Sequence, residues 1–498
     1  MTDRRFLLYG LLRHHLASFI AKVFTTLEPG TRYEENWHVL ALAQALTEVL
    51  LGRERRLIIN VPPRMMKSIS VMVAFAAWYL GHDPTKKVLT VTYASPLARK
   101  HALDFRKVVE SSWFGEVFPD CCFARLLNME AVTTTGGGRM ACSMDGSVLG
   151  LGADLLIIDD PIKASDVLSE AERQRVKDTY DNTLYTRLNN KKEGAVIIVM
   201  QRLHEDDLVG HVLTKEDWTV LDIPAIAPED RTYRIGPRPQ DVYCRRHGEL
   251  LQPSREGEAE LDVLRRTLGS MVFEAQYQQN PTPMDGNVLK REWLTYCDLP
   301  PTEFDRVVAS WDTASTLAET SDWSVGTVWG VAGDQYHLLH VERGRLEYPD
   351  LRRALIRIAA EYRADTTLIE DTELGRALTQ DLRRSGDLRP ILTRPKFDKT
   401  ARFLAVTPRF EARQVLLPRQ ADWLEPYVKE LLSFPNARHD DQVDATSQAL
   451  RYIWNRMDLQ RLRRASATAQ ERSTAEASDE HAPRQRRRAT RIRRRRRS

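Results

Sequence analysis

A chain of 498 residues is too long for one small module, and at about 150 residues per domain it is expected to hold two to four. Its 73 Lys and Arg exceed its 69 Asp and Glu, but ten Arg fall in residues 484–498, which hold no acid, leaving 63 basic and 69 acidic groups before them, a net −6. A hydrophobic share of 42% with 29% charged residues excludes global disorder.

The longest nearly uncharged apolar run, Ile69 to Leu80, is far shorter than the roughly 20 residues that cross a bilayer, and the start shows no signal-peptide pattern. Five Cys form no C-x-x-C pair, so neither a disulfide framework nor a zinc site is indicated. A cytosolic protein without a membrane partner is the expectation.

In chain order, residues 1–30 read as a helical segment. From residue 31 to 227 short β-branched runs alternate with helical stretches: LIINV (57–61), KVLTVTYA (87–94), LLIID (155–159), AVIIVM (195–200) and WTVLDI (218–223). Runs apolar on both faces suit strands covered on each side and joined by helical crossovers, which predicts an α/β, doubly wound parallel sheet. Residues 228–300 read as a connector, with Pro, Arg and Gly dominating its first half. A second α/β block, 301–456, begins with VVASWDT, SVGTVWGVA and QYHLLHVE, whose gaps are too short for crossover helices and predict an antiparallel meander. A helix (Pro349 to Arg363), a strand (Thr366 to Glu370) and a closing helix (Asp440 to Trp454) are expected next. The tail, 457–498, lacks apolar residues for a core and is expected to be disordered.

VPPRMMKS (61–68) lies between the first strand and the first helix. A phosphate-binding loop must offer backbone N–H groups and a Lys to phosphates and a hydroxyl to Mg²⁺; Lys67 and Ser68 supply the last two. The glycines of that pattern are absent, with Val61 and Met66 in their places. Downstream, the apolar strand LLIIDD ends in Asp159 and Asp160, an arrangement in which one acid holds the metal and the next polarises the attacking water. Asp-Asp-Pro is also good turn chemistry. Arg64 is a candidate to reach the γ-phosphate. Gly136-Gly137-Gly138 reads as a flexible loop or a plain turn.

In the second block Asp312 and Glu370 end strands, and Asp444 lies on the closing helix with Asp440 and Asp441 on its face. Like charges at this spacing cost roughly 0.2 to 0.5 kcal/mol per pair without a counter-ion. Taken singly, each acid also reads as a turn residue or a solvated charge. Jointly, hard oxygen ligands without a His or Cys set point to Mg²⁺ or Mn²⁺, and to two-metal phosphodiester cleavage. Asp322 reads as a turn residue. Lys399 and Arg402 read equally as phosphate contacts or a solvated face.

Both sites in this order resemble the large terminase subunit of tailed bacteriophages. The resemblance is carried by NWH (36–38), PPRMMKS, TYASPLARKHA (92–102), GLGADLLIIDDPIK (150–163), MQRLHEDDLVG (200–210), FEAQYQQNPTP (273–283), SWDTAS with SDWSVG, IEDTELG (369–375) and HDDQVDA. It implies a RecA-like P-loop ATPase domain followed by an RNase H-like nuclease domain, using ATP and Mg²⁺, with Mn²⁺ an alternative at the nuclease. By the same resemblance Lys67, Ser68 and Asp159 bind nucleotide and metal and Asp160 is the hydrolytic acid. Gln201-Arg202 would couple hydrolysis to movement, NWH would lie on the adenine side, and Asp312, Glu370 and Asp444 would hold the nuclease metals. It also implies double-stranded DNA, a portal protein, a small terminase subunit and a homo-oligomeric ring as partners, in the host cytoplasm. Met66, where glycine is usual, and Asp160, where Glu is common, are departures. The rival readings are a repair or defence nuclease with a helicase-like ATPase, and an ATPase-inactive DNA-tethering protein.

Overall fold

A computed structural model describes residues 2–146, 152–281, 288–313, 323–395, 397–436 and 440–456. Asp322 and the Arg-rich tail lie outside the described residues. The chain divides into two compact units, Met1–Gly286 and Asn287–Ser498.

The first unit is built on an eight-stranded sheet: β1 (Arg56–Asn60), β2 (Lys87–Thr92), β3 (Phe123–Leu126), β4 (Glu130–Thr133), β5 (Gly138–Ser143), β6 (Leu155–Asp159), β7 (Ala195–Met200) and β8 (Thr219–Asp222). The spatial order is β3-β4-β5-β2-β6-β7-β1-β8. The pairs β8-β1, β1-β7, β7-β6, β6-β2 and β2-β5 are parallel, whereas β3-β4 and β4-β5 are antiparallel. Every residue of β6 and β7 is buried, which is why these strands read as unbroken apolar runs. Two cores result, one on each face. Leu57, Ile59, Ile157 and Ile197 face the helices Leu16–Leu27 and Trp37–Leu50, while Ile58, Leu156, Ile158 and Ile198 pack toward Val176, Tyr180 and Val209.

Residues 134–137 form a short turn joining β4 to β5, and Gly138 opens β5. A Cβ on Gly137 would stand 2.3 Å from the Pro84 carbonyl oxygen and 2.5 Å from that of Lys86, so only glycine lets the turn lie on that backbone. The stretch expected as a connector holds an antiparallel pair, β9 (Arg231–Arg234) and β10 (Val242–Arg245), and the helices Glu258–Leu268 and Ser270–Gln276, all within the first unit.

The second unit carries β11 (Thr295–Cys297), β12 (Arg306–Asp312), β13 (Ser324–Ala332), β14 (Gln335–Gly344), β15 (Thr366–Glu370), β16 (Ile391–Thr393) and β17 (Val415–Pro418), in the order β11-β17-β14-β13-β12-β15-β16. β12, β13 and β14 form the expected antiparallel meander, and β15 and β16 extend it in parallel. A helix over 441–456 crosses one face. Its Gln448 amide donates to Ser310 Oγ (3.1 Å) and the Trp311 carbonyl (3.2 Å), which fixes where Asp444, one turn earlier, meets the sheet.

Candidate functional site

Parallel strands bring their carboxyl ends to one edge, where open α/β sheets bind ligands. At that edge of the first unit lies a cleft of ≈ 830 Å³ whose walls include Arg64, Met66, Lys67, Ser68, Asp160 and Gln201. β7 lies between β1 and β6, so the residue after it is delivered between the Lys67 loop and the acid-tipped strand. Accordingly Lys67 Nζ donates to Asp160 Oδ1 (2.6 Å) and to Gln201 Oε1 (2.9 Å). Lys67 is only 6% exposed, so this contact is shielded from water.

The loop takes unusual backbone angles: φ is +67° at Arg64, +59° at Met66 and +43° at Asp160. Such angles in residues with a Cβ cost on the order of 1–2 kcal/mol each. Met66 thus adopts a left-handed geometry that glycine would reach freely. The chain then enters a π-helical segment, Ile69–Phe75, wholly buried from Ser70 onward.

Asp159 is 0% exposed, and neither carboxylate oxygen has a well-formed hydrogen bond among the described residues. Burial first, then the charge of Asp160, pushes its carboxyl up to about 7, against the pull of Lys67 and nearby Ser68. An orphaned, buried, oxygen-only acceptor beside a hydroxyl fits a hard cation bound with nucleotide. His101 Nε2 lies 3.6 Å from Asp159, and burial, then Arg139 and Lys100, lowers that imidazole to about 4.

Phe24, Glu28, Thr31, Tyr93, His101 and Arg255 also line the cleft; of these only Tyr93 and His101 fall in a segment marked in the sequence, TYASPLARKHA, and neither was singled out there. Asn36, Trp37 and His38 are not among its walls. Asn36 caps the helix Trp37–Leu50 and donates to the Leu251 carbonyl (2.9 Å), and Trp37 stacks on Tyr243 with centroids 4.6 Å apart. Arg202 donates its backbone N–H to Gln279 Oε1 (2.9 Å) and pairs with buried Asp207 (3.0 Å), so the segment after β7 is tied to the motif around residue 279.

In the second unit the ends of β12 and β15 bring Asp312 and Glu370 within hydrogen-bonding reach, with Asp444 and Asp441 close enough to add their charge. Burial, then Glu370 and Asp444, drives the Asp312 carboxyl well above the usual carboxylate range. Asp444 is 2% exposed and is met by Arg402 (2.9 Å) and Lys399 (3.1 Å). Burial nonetheless raises it to about 6 despite those cations. Burial alone would lower the Lys399 ammonium, but its hydrogen bond to Asp440 (2.6 Å) and the charge of Asp444 raise it.

The three predicted acids therefore converge, with a difference from expectation: the counter-ions at Asp444 are Lys399 and Arg402, supplied by the helix Lys399–Leu404. Among the described residues no group of three or more His, Cys, Asp or Glu is arranged as a ready metal cage. The Asp312–Glu370 pair, with like charges and oxygen donors only, is the part whose chemistry fits a divalent cation.

Residues 309–452 match the family model of the terminase RNase H-like domain. The large terminase of a thermophilic bacteriophage superposes with a TM-score of 0.51 at 10% identity, covering 82% of this chain and 98% of that one. The HK97 bacteriophage large terminase gives 0.33 at 10% identity over 84% and 95% of the two chains. The large terminase nuclease of another thermophilic phage, G20c, with bound magnesium, gives 0.27 at 15% identity over 34% and 98%. No curated protein matches the chain. The chain has a mixed α/β fold similar to that of a large terminase, and its residues 309–452 match the terminase RNase H-like domain.

Proposed function

We propose that this protein is a DNA-packaging motor and nuclease: it hydrolyses ATP to drive double-stranded viral DNA into a procapsid and cuts that DNA with a divalent-metal nuclease. The observation that carries the reading is one chain holding a Lys67–Asp160–Gln201 cleft and, in a separate unit, a convergence of half-buried Asp312 and Glu370 with buried Asp444.

In the motor unit, Lys67 holds the phosphates and Arg64 is the candidate to neutralise the γ-phosphate. Asp160 accepts a proton from, or orients, the attacking water. Gln201 shares Lys67 with Asp160, so a phosphate drawing the ammonium away would release Gln201 and pull on the segment tied to Gln279. Ser68 and Asp159 would hold Mg²⁺, which when bound neutralises phosphate charge.

In the nuclease unit Asp312, Glu370 and Asp444 would hold Mg²⁺ or Mn²⁺. A metal there supplies an activated water and stabilises the leaving oxygen. Lys399 and Arg402 keep Asp444 ionised and oriented. Portal protein, small terminase subunit and a ring of copies are the partners this work requires, in the host cytoplasm.

The test is ATP-dependent protection of duplex DNA from DNase by procapsids in the presence of the full chain. Protection that disappears with Lys67→Ala is the expected result; equal protection by that variant would sink the motor assignment. Tight DNA binding without any ATP turnover, even with assembly partners present, would favour the tethering reading instead.

A further inference from the structure

The second sheet places Arg343 in register with its carboxylates, with Arg345 and Arg394 just past the ends of their strands. β12 pairs with β13 so that Asp312 lies opposite Val325, and β13 pairs with β14 so that Val325 lies opposite Arg343. Residues directly opposite in a ladder share a face. Arg343 therefore stands in the same cross-sheet row as Asp312, two strands and roughly 10 Å away. On the other side, Glu370 at the end of β15 lies opposite Thr393, and Arg394 follows at the same end of the sheet. The row from Arg343 to Thr393 spans four strand steps, or roughly 19 Å, and Arg394 lies one residue beyond its end.

The arginines on the β14 side are held. Arg343 lies 4.5 Å and Arg345 5.0 Å from the centroid of the Trp323 ring, which orients two planar donor forks on one indole. Arg343 also meets Glu430 at 3.6 Å. Arg345 and Arg394 are exposed and make no ion pair among the described residues. A solvated face is the bland alternative, but the position argues against it. The clustered acids repel a polyanion, so a phosphodiester approaches them only where flanking cations offset that field.

We infer that Arg343 and Arg345, stacked on Trp323, together with Arg394 form a phosphate track that seats duplex DNA across the Asp312–Glu370 end of the sheet. At 3.4 Å per base step the 19 Å row follows roughly five to six steps of one strand, with the acids near its middle. The inference rests on the nuclease reading for its purpose but not for its test.

The test is equilibrium binding of a fluorescent duplex to the full chain in EDTA, where no cleavage occurs, across a series of salt concentrations. Arg345→Ala and Arg394→Ala each lower the slope of log affinity against log salt by about 0.9, with a three- to tenfold loss of affinity at moderate salt, because each removes one phosphate contact. The far-ultraviolet circular dichroism and the thermal unfolding midpoints stay at the wild-type level and report an intact second unit. An unchanged slope and affinity in the variant lacking both arginines would overturn the track. Binding lost with the arginines in a chain that never cuts DNA would keep the track and remove the nuclease reading. Normal cleavage with unchanged KM after both substitutions would remove the track alone.

Discussion

Replacing Lys67 by Ala removes an ammonium that is 6% exposed and bridges Asp160 at 2.6 Å and Gln201 at 2.9 Å. Breaking a buried pair by deleting one partner costs 3–5 kcal/mol in general, because the other charge is left uncompensated. The Asp160 side chain is 20% exposed and gains some hydration, so the expected cost is about 2–3 kcal/mol. For a unit of this size that lowers Tm by roughly 3–5 °C. Stability alone would not distinguish this from general damage, so the decisive form is a double-mutant cycle with Asp160→Asn. Once Asp160 is neutral, deleting Lys67 no longer strands a charge beside Asp159, and the cycle returns a coupling of about 1.5–3 kcal/mol by urea unfolding in nucleotide-free buffer. A coupling below about 0.5 kcal/mol would refute the claim that the two are an energetic pair. DNA-stimulated ATP turnover in Lys67→Ala would refute its catalytic placing.

Three further outcomes follow from particular residues. Burial, outweighing a backbone contact from Met65, lowers His38 to about 4, so between pH 6.5 and 4 the unfolded chain binds the proton that the folded one refuses. The stability His38 contributes is present above pH 6.5 and is lost as pH falls, about 2 kcal/mol between pH 7 and 5; His38→Gln should flatten the urea-unfolding pH slope by that amount, and an unchanged slope contradicts it. Asp312→Asn removes one of two half-buried acids whose charges oppose each other, so calorimetry in EDTA should show a higher Tm together with loss of DNA cleavage; a lower Tm would contradict the repulsion. Gly137→Ala drives a Cβ onto two carbonyl oxygens and should cost about 2 kcal/mol or more in chemical unfolding, whereas a neutral result would mean the β4–β5 turn yields easily.

The parts of the fold visible in the sequence were those where burial is two-sided. LLIID and AVIIVM coincide with β6 and β7 because residues covered on both faces leave an unbroken apolar run. Residues 123–143 gave no such signal: β3 exposes Ala124 and Arg125, and β4 and β5 mix charged and small residues. Lys67, Asp159 and Asp160 were legible because strand ends and a helix start mark them. Gln201 was legible only through resemblance, and its contact with Lys67 needed the strand order. Phe24, His101 and Arg255 reach the cleft from helices and a turn remote in sequence, with no periodicity that marks a wall. Asp312, Glu370 and Asp444 were legible from strand ends and the start of a helix, but their cations were not, since Lys399 and Arg402 also read as an ordinary helix surface.

The central claim is that two independent catalytic centres share this chain, and crossed activity measurements on two variants test it most directly. ATP turnover with duplex DNA and metal-dependent cleavage of the same DNA are measured for wild type, Lys67→Ala and Asp312→Asn. The account predicts that Lys67→Ala loses ATP turnover and still cuts, while Asp312→Asn loses cutting and still hydrolyses ATP. Loss of both activities in one folded variant, or retention of both in either, would contradict it.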